Sequence, residues 1–203
     1  MSNTIKLLAI DTATDACSVA LYVNDQILER FSIAARTHTR LLLPMIDDLL
    51  KEAAITLAEI DAFAFGRGPG SFTGIRIACS VIQALSFGIN KPVVSVSTLR
   101  ALAQGAARTS GATQVFASLD ARLESLYWGL FEMGAEGIMQ PVSDERLSLT
   151  DQICLPAGSW QKMTGHPHAE DIVRIAVYEY QAGHAVTAKF ALPVYLREEI
   201  VKN

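Results

Sequence analysis

The sequence predicts an α/β fold of mixed sheets and helices in two related halves, on three observations. Three strand-like segments follow one another from the N-terminus before any helical pattern begins. Strands then alternate with helices, the arrangement of a sheet under helical cover. The opening unit of apolar strand, Asp, turn and second strand recurs after the midpoint.

Taken in order, "TIKLLAI" is a short apolar run that suits a buried strand, "DTATDA" is turn chemistry, and "CSVALYV" resumes as a strand. "ND" turns the chain into "QILERFSIA", a third strand. The spacing then predicts a helix over 38–53, a strand at "IDAFAF", a second helix over 71–87 and a buried strand at "PVVSVS". In the second half, "VFASLDARLESLYWGLFE" laid over "LLAIDTATDACSVALYVN" puts Asp120 on Asp11. "GAEG" reads as a turn, "PVSDERLSL" as a strand, Thr150 as a helix cap, and 168–182 as a helix ended by Gly183. The boundary between the halves falls near Gly105 to Gly111, giving units of 1–108 and 109–203.

Half of the 203 residues are hydrophobic, enough for a sizeable core. With 17 basic against 21 acidic residues the net charge is -4, which argues against a surface that holds a nucleic-acid backbone unaided. Met1 to Asn3 has no basic leader and the run Leu7 to Ile10 stops at Asp11, so neither a signal segment nor a membrane span is expected and a cytoplasmic protein is. Cys17, Cys79 and Cys154 are odd in number and widely spaced, and read as reduced core thiols.

Asp11 ends a strand and is followed by "TAT", a pattern that can hold a phosphate or its metal, or can cap a hairpin turn through Asp11 and Thr14. Spacing favours the turn. In "GRGPGSFTG", Pro69 fixes the chain, Gly68 and Gly70 permit unusual backbone angles, and Ser71 can cap the helix that follows. Such a loop can cradle an anion, but it has neither the Lys of a phosphate-binding P-loop nor a dinucleotide spacing, and a structural turn is the simpler reading. No histidine pair among His38, His166, His168 and His184 has helical ligand spacing. His38 suits a helix start, where its ring can bond to backbone. No serine sits in a Gly-x-Ser-x-Gly elbow.

The two helices carry more apolar surface than one sheet can cover. On the first, Leu41 and Met45 belong to an apolar set spanning more than half the circumference. On the second, Arg76 is the only charge, and the small residues Gly74, Ala78, Ser80 and Ala84 are scattered among Phe72, Ile75, Ile82 and other apolar side chains. A second cover, internal or from a partner protein, is required. Leu41, Met45, Phe72, Ile75, Ala78, Cys79, Ile82 and Ala84 are the expected association residues.

"AIDTATDACSVAL", "GRGPGSFTGIRI", "VSTL" and "PVYLR" together resemble the TsaB (YeaZ) family over most of the chain. The resemblance implies an actin-like ATPase fold, of the ribonuclease H-like type, with two related lobes and a C-terminal tail returning to the first. It implies a non-catalytic scaffold in the transfer of a threonylcarbamoyl group to adenosine of ANN-decoding tRNAs. The partners would be the TsaD paralogue and the small ATPase TsaE, with a homodimer when alone and tRNA met only through the complex. No cofactor of its own is implied, although ATP or ADP can be held at the complex. Asp11, Thr12, Gly68, Gly70 and Ser71 would then be vestigial phosphate loops. Where the paralogue carries a His-x-x-x-His metal pair, this chain has Thr98 and Leu102, which cannot replace two imidazoles. The stretch between Asp151 and Ala169 is shorter than the family pattern. The competing expectation is a self-sufficient nucleotide-dependent enzyme using Asp11, Asp120 and the glycine loop.

Overall fold

The computed structural model describes residues 5–33 and 35–196; the leader reading at Met1 to Asn3, and Ala34 at the end of the third strand, lie outside them. The first sheet is formed by β1 (Leu7–Asp11), β2 (Ala16–Val23), β3 (Gln26–Ile33), β4 (Ala62–Gly66) and β5 (Val93–Val96) in the order β3-β2-β1-β4-β5. The first three strands form an antiparallel meander, and β4 and β5 add in parallel. Between them lie α1 (His38–Glu52) and α2 (Phe72–Ile89), and α3 (Thr98–Ser110) follows β5.

Alternation along the strands decides what lies above and below. Leu8 and Ile10 of β1 point with Val19, Leu21, Phe63 and Phe65 toward α1 and α2. Leu7 and Ala9 point the other way with Ala20, Ala62 and Ala64, where the small side chains let α4 (Ala169–Gln181) lie close on the sheet. Covered on both faces, β1 and β4 are fully buried, which is why they read as unbroken apolar runs.

The second sheet repeats the first. Its strands β6 (Gln114–Asp120), β7 (Ser125–Met133), β8 (Met139–Pro141) and β10 (Gln161–Met163) run in the order β10-β6-β7-β8, and β9 (Arg146–Leu149) also pairs with β7. The β6–β7 hairpin corresponds to β1–β2, and β10 lies parallel to β6 as β4 lies parallel to β1. At both strand ends the Asp accepts from the backbone N–H two residues on: Ala13 to Asp11 at 2.9 Å, and Arg122 to Asp120 at 3.0 Å. The lobes exchange covers. Helix α3, from the first half, packs its Leu99, Leu102 and Ala106 on the second sheet, while α4, from the second half, covers the first.

Four local expectations change. The "PVSDERLSL" strand is two short strands broken at residues 142–145, and the helix at Thr150 is a single 3-10 turn, Thr150–Gln152, too short to need a cap. The stretch Gly105 to Gly111, where the boundary is expected, is the second half and cap of α3, and Gly105 lies inside that helix, where any side chain would strike the Asp171 carboxylate. Cys154 is exposed, whereas Cys17 and Cys79 are buried.

Candidate functional site

Both strand–Asp–turn units open onto one cleft of about 1120 Å³ between the lobes. One wall is the Asp11 turn, represented by Ala13, Thr14 and Asp15, with Pro69, Gly70 and Ser71 of the glycine loop and the first turn of α2. The opposite wall holds Asp120, Ala121 and Arg122 with Tyr127, Thr164 and His166. Val194, Tyr195 and Leu196 close one side.

Of the expected phosphate-loop residues, Gly70 and Ser71 line the cleft, and the two loops are engaged with one another. The Thr12 hydroxyl donates to the Gly74 carbonyl at 2.6 Å, the Ser71 N–H donates to the Ala13 carbonyl at 2.7 Å, and the Ser71 hydroxyl caps α2 by accepting from the Gly74 N–H. Glycine is required for that approach. A Cβ on Gly70 would stand 2.4 Å from the Ala13 oxygen, and one on Gly74 1.8 Å from the Thr12 oxygen. Gly68 sits at φ +102° and its carbonyl accepts from Thr98 N–H at the start of α3. The loop knits β1, α2 and α3 together through backbone groups that a phosphate would otherwise need.

Asp11 and Thr12 are buried and lie behind the cleft wall rather than in it. Asp11 Oδ1 accepts from Ala13, while Oδ2 points under Gly66 and Ile172 with no hydrogen-bond partner among the described residues. Burial pushes this carboxyl up to about 7, against the smaller opposing pull of the Ala13 N–H. A carboxyl buried behind the cleft wall, where burial opposes its ionisation, is poorly placed to hold a metal over a nucleotide.

Two histidines converge on the same turn: His38, at the helix start and bonded to backbone as expected, and His166, which the sequence leaves without a role. His38 Nε2, at the start of α1, donates to the Thr14 carbonyl at 3.0 Å, and His166 Nδ1 pairs with the Thr14 hydroxyl at 2.9 Å. Nothing local in the sequence announces the second contact, which joins the two lobes across the cleft mouth.

On α2 the structure divides the expected association residues. Ala78, Cys79 and Ile82 are buried in the lobe's own core, because the inward row of α2 is taken by β1, β4 and β5, and Ile75 is buried beside Gly68 at the cleft. Leu41 and Met45 are half-buried, and Phe72 and Ala84 are exposed. The outward ridge runs Phe72, Arg76, Ser80, Ala84 and Phe87, all exposed. Helix α2 is long and apolar enough to cross a bilayer by length and composition, yet its inward side is packed on the sheet.

The family model described as TsaD, tRNA N6-adenosine threonylcarbamoyltransferase, matches residues 30–191. The Escherichia coli tRNA threonylcarbamoyladenosine biosynthesis protein TsaB is 37% identical, with 97% of this chain and 96% of that protein covered. The chain belongs to the TsaB family. A second member, from Haemophilus influenzae, is 34% identical over 97% of this chain and 95% of its own length. The solved structure of YeaZ from Pseudomonas aeruginosa superposes with a TM-score of 0.92 at 39% identity, covering 95% of this chain and all of that one. The actin-like ATPase fold expected from the resemblance is therefore the fold observed. The alignment with the E. coli TsaB runs to 222 positions, more than the chain's 203 residues, so that TsaB carries residues within the matched span that this chain lacks.

Thr98 and Leu102, the positions that the resemblance sets against a histidine metal pair, lie on the first two turns of α3. Thr98 and Leu102 are both buried, Leu102 within the core between α3 and the second sheet. A leucine offers no donor atom, and Thr98 Oγ1 alone is no transition-metal site.

Proposed function

We propose that this chain is the non-catalytic partner subunit in formation of threonylcarbamoyladenosine in tRNA, docking on a TsaD-type subunit through the outer faces of α1 and α2. The observation that carries this reading is the outward ridge of α2. Phe72 and Phe87, 53% and 82% exposed, flank the small residues Ser80 and Ala84, and Leu43 of α1 is exposed beside them. Small residues in the middle of a ridge let a second helix approach closely, and aromatic ends supply area. An interface of standard size, roughly 1,600 Å² in total, would cover it. With no TsaD-type subunit present, the same ridge would serve a homodimer. The reading assigns this chain no cofactor of its own; ATP or ADP acts at the complex with the TsaE ATPase, in the cytoplasm, and tRNA is met there.

The test is Ala84→Arg. Placed at a helix contact, an unpaired charge should weaken association by several kcal/mol. In size-exclusion runs with the TsaD-type subunit the variant should elute apart, with an unchanged circular dichroism spectrum because Ala84 is exposed on the fold of the single chain. A folded variant that co-elutes like the parent would remove the ridge from the interface.

A further inference from the structure

We propose that residues 191–196 form a releasable strap that couples the inter-lobe cleft to the outer face of α2. After α4 the chain runs beside the edge strand β5, where Val186 and Val93 exchange both backbone hydrogen bonds at 2.8 and 2.9 Å. It makes one 3-10 turn, Ala188–Phe190, over α2 and then continues without secondary structure.

Three contacts seat the strap. The Ala191 carbonyl accepts from Cys79 Sγ at 3.1 Å and from Gln83 Nε2 at 3.0 Å on α2. The Val194 N–H donates to the Arg67 carbonyl at 2.8 Å, and the Val194 carbonyl lies so close to Gly68 that a Cβ there would stand 2.8 Å away. The Tyr195 hydroxyl accepts from Arg76 Nε at 2.8 Å, its ring lies 5.4 Å from Phe72, and the Arg76 guanidinium sits 3.6 Å over the Phe72 ring.

These contacts bring two surfaces under one segment. Val194 and Tyr195 line the cleft and touch the glycine loop, while Tyr195 also fixes Phe72 and Arg76, which line the groove between α1 and α2. Away from Ala191 the anchors are few and Leu192 and Tyr195 are exposed, the features of a segment that opens well before the lobe unfolds. A partner that needs Phe72 and Arg76 free disfavours the seated strap and so loosens its hold on the Arg67–Gly68 backbone. By linkage, a ligand that braces the strap from the cleft opposes that partner to the same degree. The partner end of this coupling rests on the association reading; release of the strap does not.

Cys79 is the natural reporter, since it lies beneath Ala191 while Cys17 is in the sheet core. In a Cys154→Ser background, which removes the exposed thiol, the labelling rates of Cys79 and Cys17 are measured together with hydrogen exchange over residues 66–74. Tyr195→Ala removes the Arg76 and Phe72 anchor, and Val194→Pro removes the N–H given to Arg67. Tyr195→Ala should speed Cys79 labelling about tenfold, the factor that a lost charge-assisted hydrogen bond is worth, and Val194→Pro, which removes a neutral backbone bond, about fivefold. Cys17 should stay protected, and exchange in the glycine loop should rise. The proposal fails if Cys79 labelling is unchanged in both variants, if Cys17 labels as fast as Cys79, or if loop exchange stays flat while Cys79 opens. Partner binding by Ala84→Arg reads out separately, so the strap and the association reading can fail independently.

Discussion

The buried carboxyl of Asp11 makes a quantitative demand on the stability of the first lobe. The group is enclosed by β1, Gly66 of β4 and Ile172 of α4, and its pKa rises from 3.8 to about 7. The folded chain therefore holds a proton that the unfolded chain releases between those two values. The stability tied to this proton is fully present below pH 3.8, is lost progressively as pH rises, and is gone above about 7. At about 1.36 kcal/mol per unit, the whole window corresponds to roughly 4 kcal/mol, of which roughly 2–3 kcal/mol falls between about pH 5 and about pH 8.

Asp11→Asn keeps the shape and the acceptor for the Ala13 N–H but cannot ionise. Urea unfolding of parent and variant, measured at steps from about pH 5 to about pH 8, isolates the group, because every other titrating residue is common to both. The parent should lose roughly 2–3 kcal/mol relative to the variant across that range, about 1 M in urea midpoint at a typical slope of about 2 kcal/mol per M. Two parallel curves would show that Asp11 is hydrated or paired in solution, and the argument from its burial would be refuted.

Two further predictions follow from packing. Gly74→Ala should cost roughly 2–4 kcal/mol, because its Cβ would meet the Thr12 carbonyl at 1.8 Å, whereas Gly88→Ala, open on the same helix, should gain about 1 kcal/mol; melting curves of the pair separate backbone approach from helix propensity. Arg108→Ala should cost about 3–5 kcal/mol in chemical denaturation, since it strips Nε and Nη2 contacts of 2.8 and 2.9 Å from Asp171, which is 1% exposed and whose carboxyl burial already pushes upward.

The strands β1 to β5 and the helices α1 and α2 are legible in the sequence because each has a local signature: unbroken apolar runs where both faces are covered, and helical spacing where one face is. Helix α3 is not, because Gly105 and Gly111 punctuate "TLRALAQGAARTS" as if it were a linker. Gly111 does end the helix, in a left-handed cap, but Gly105 is small to admit Asp171 of α4, a contact between residues far apart in the chain. The association residues divide for a related reason. Composition shows that α2 is apolar all round but not which row meets the sheet, so it groups Ile75, Ala78, Cys79 and Ile82 with Phe72 and Ala84.

The two Asp turns show where local reading stops. Asp11 and Asp120 end equivalent strands, precede equivalent hairpins, and accept from the N–H two residues on at nearly the same distance. A turn of this kind is fixed by the Asp side chain and its nearest backbone, and the sequence states it twice. Yet Asp11 is buried with a raised pKa and Asp120 is exposed in the cleft. The difference comes from the covers. Helix α4 crosses the first lobe and seats Ile172 beside Asp11, while the glycine loop closes against Ala13 in front of it. Around Asp120 the cleft stays open to Arg122 and Tyr127. The fold holds two copies of one turn, and the exchange of helices between lobes gives them opposite environments. In this chain the Asp11 copy is enclosed behind the cleft, whose wall is formed by Gly70, Ser71 and the strap.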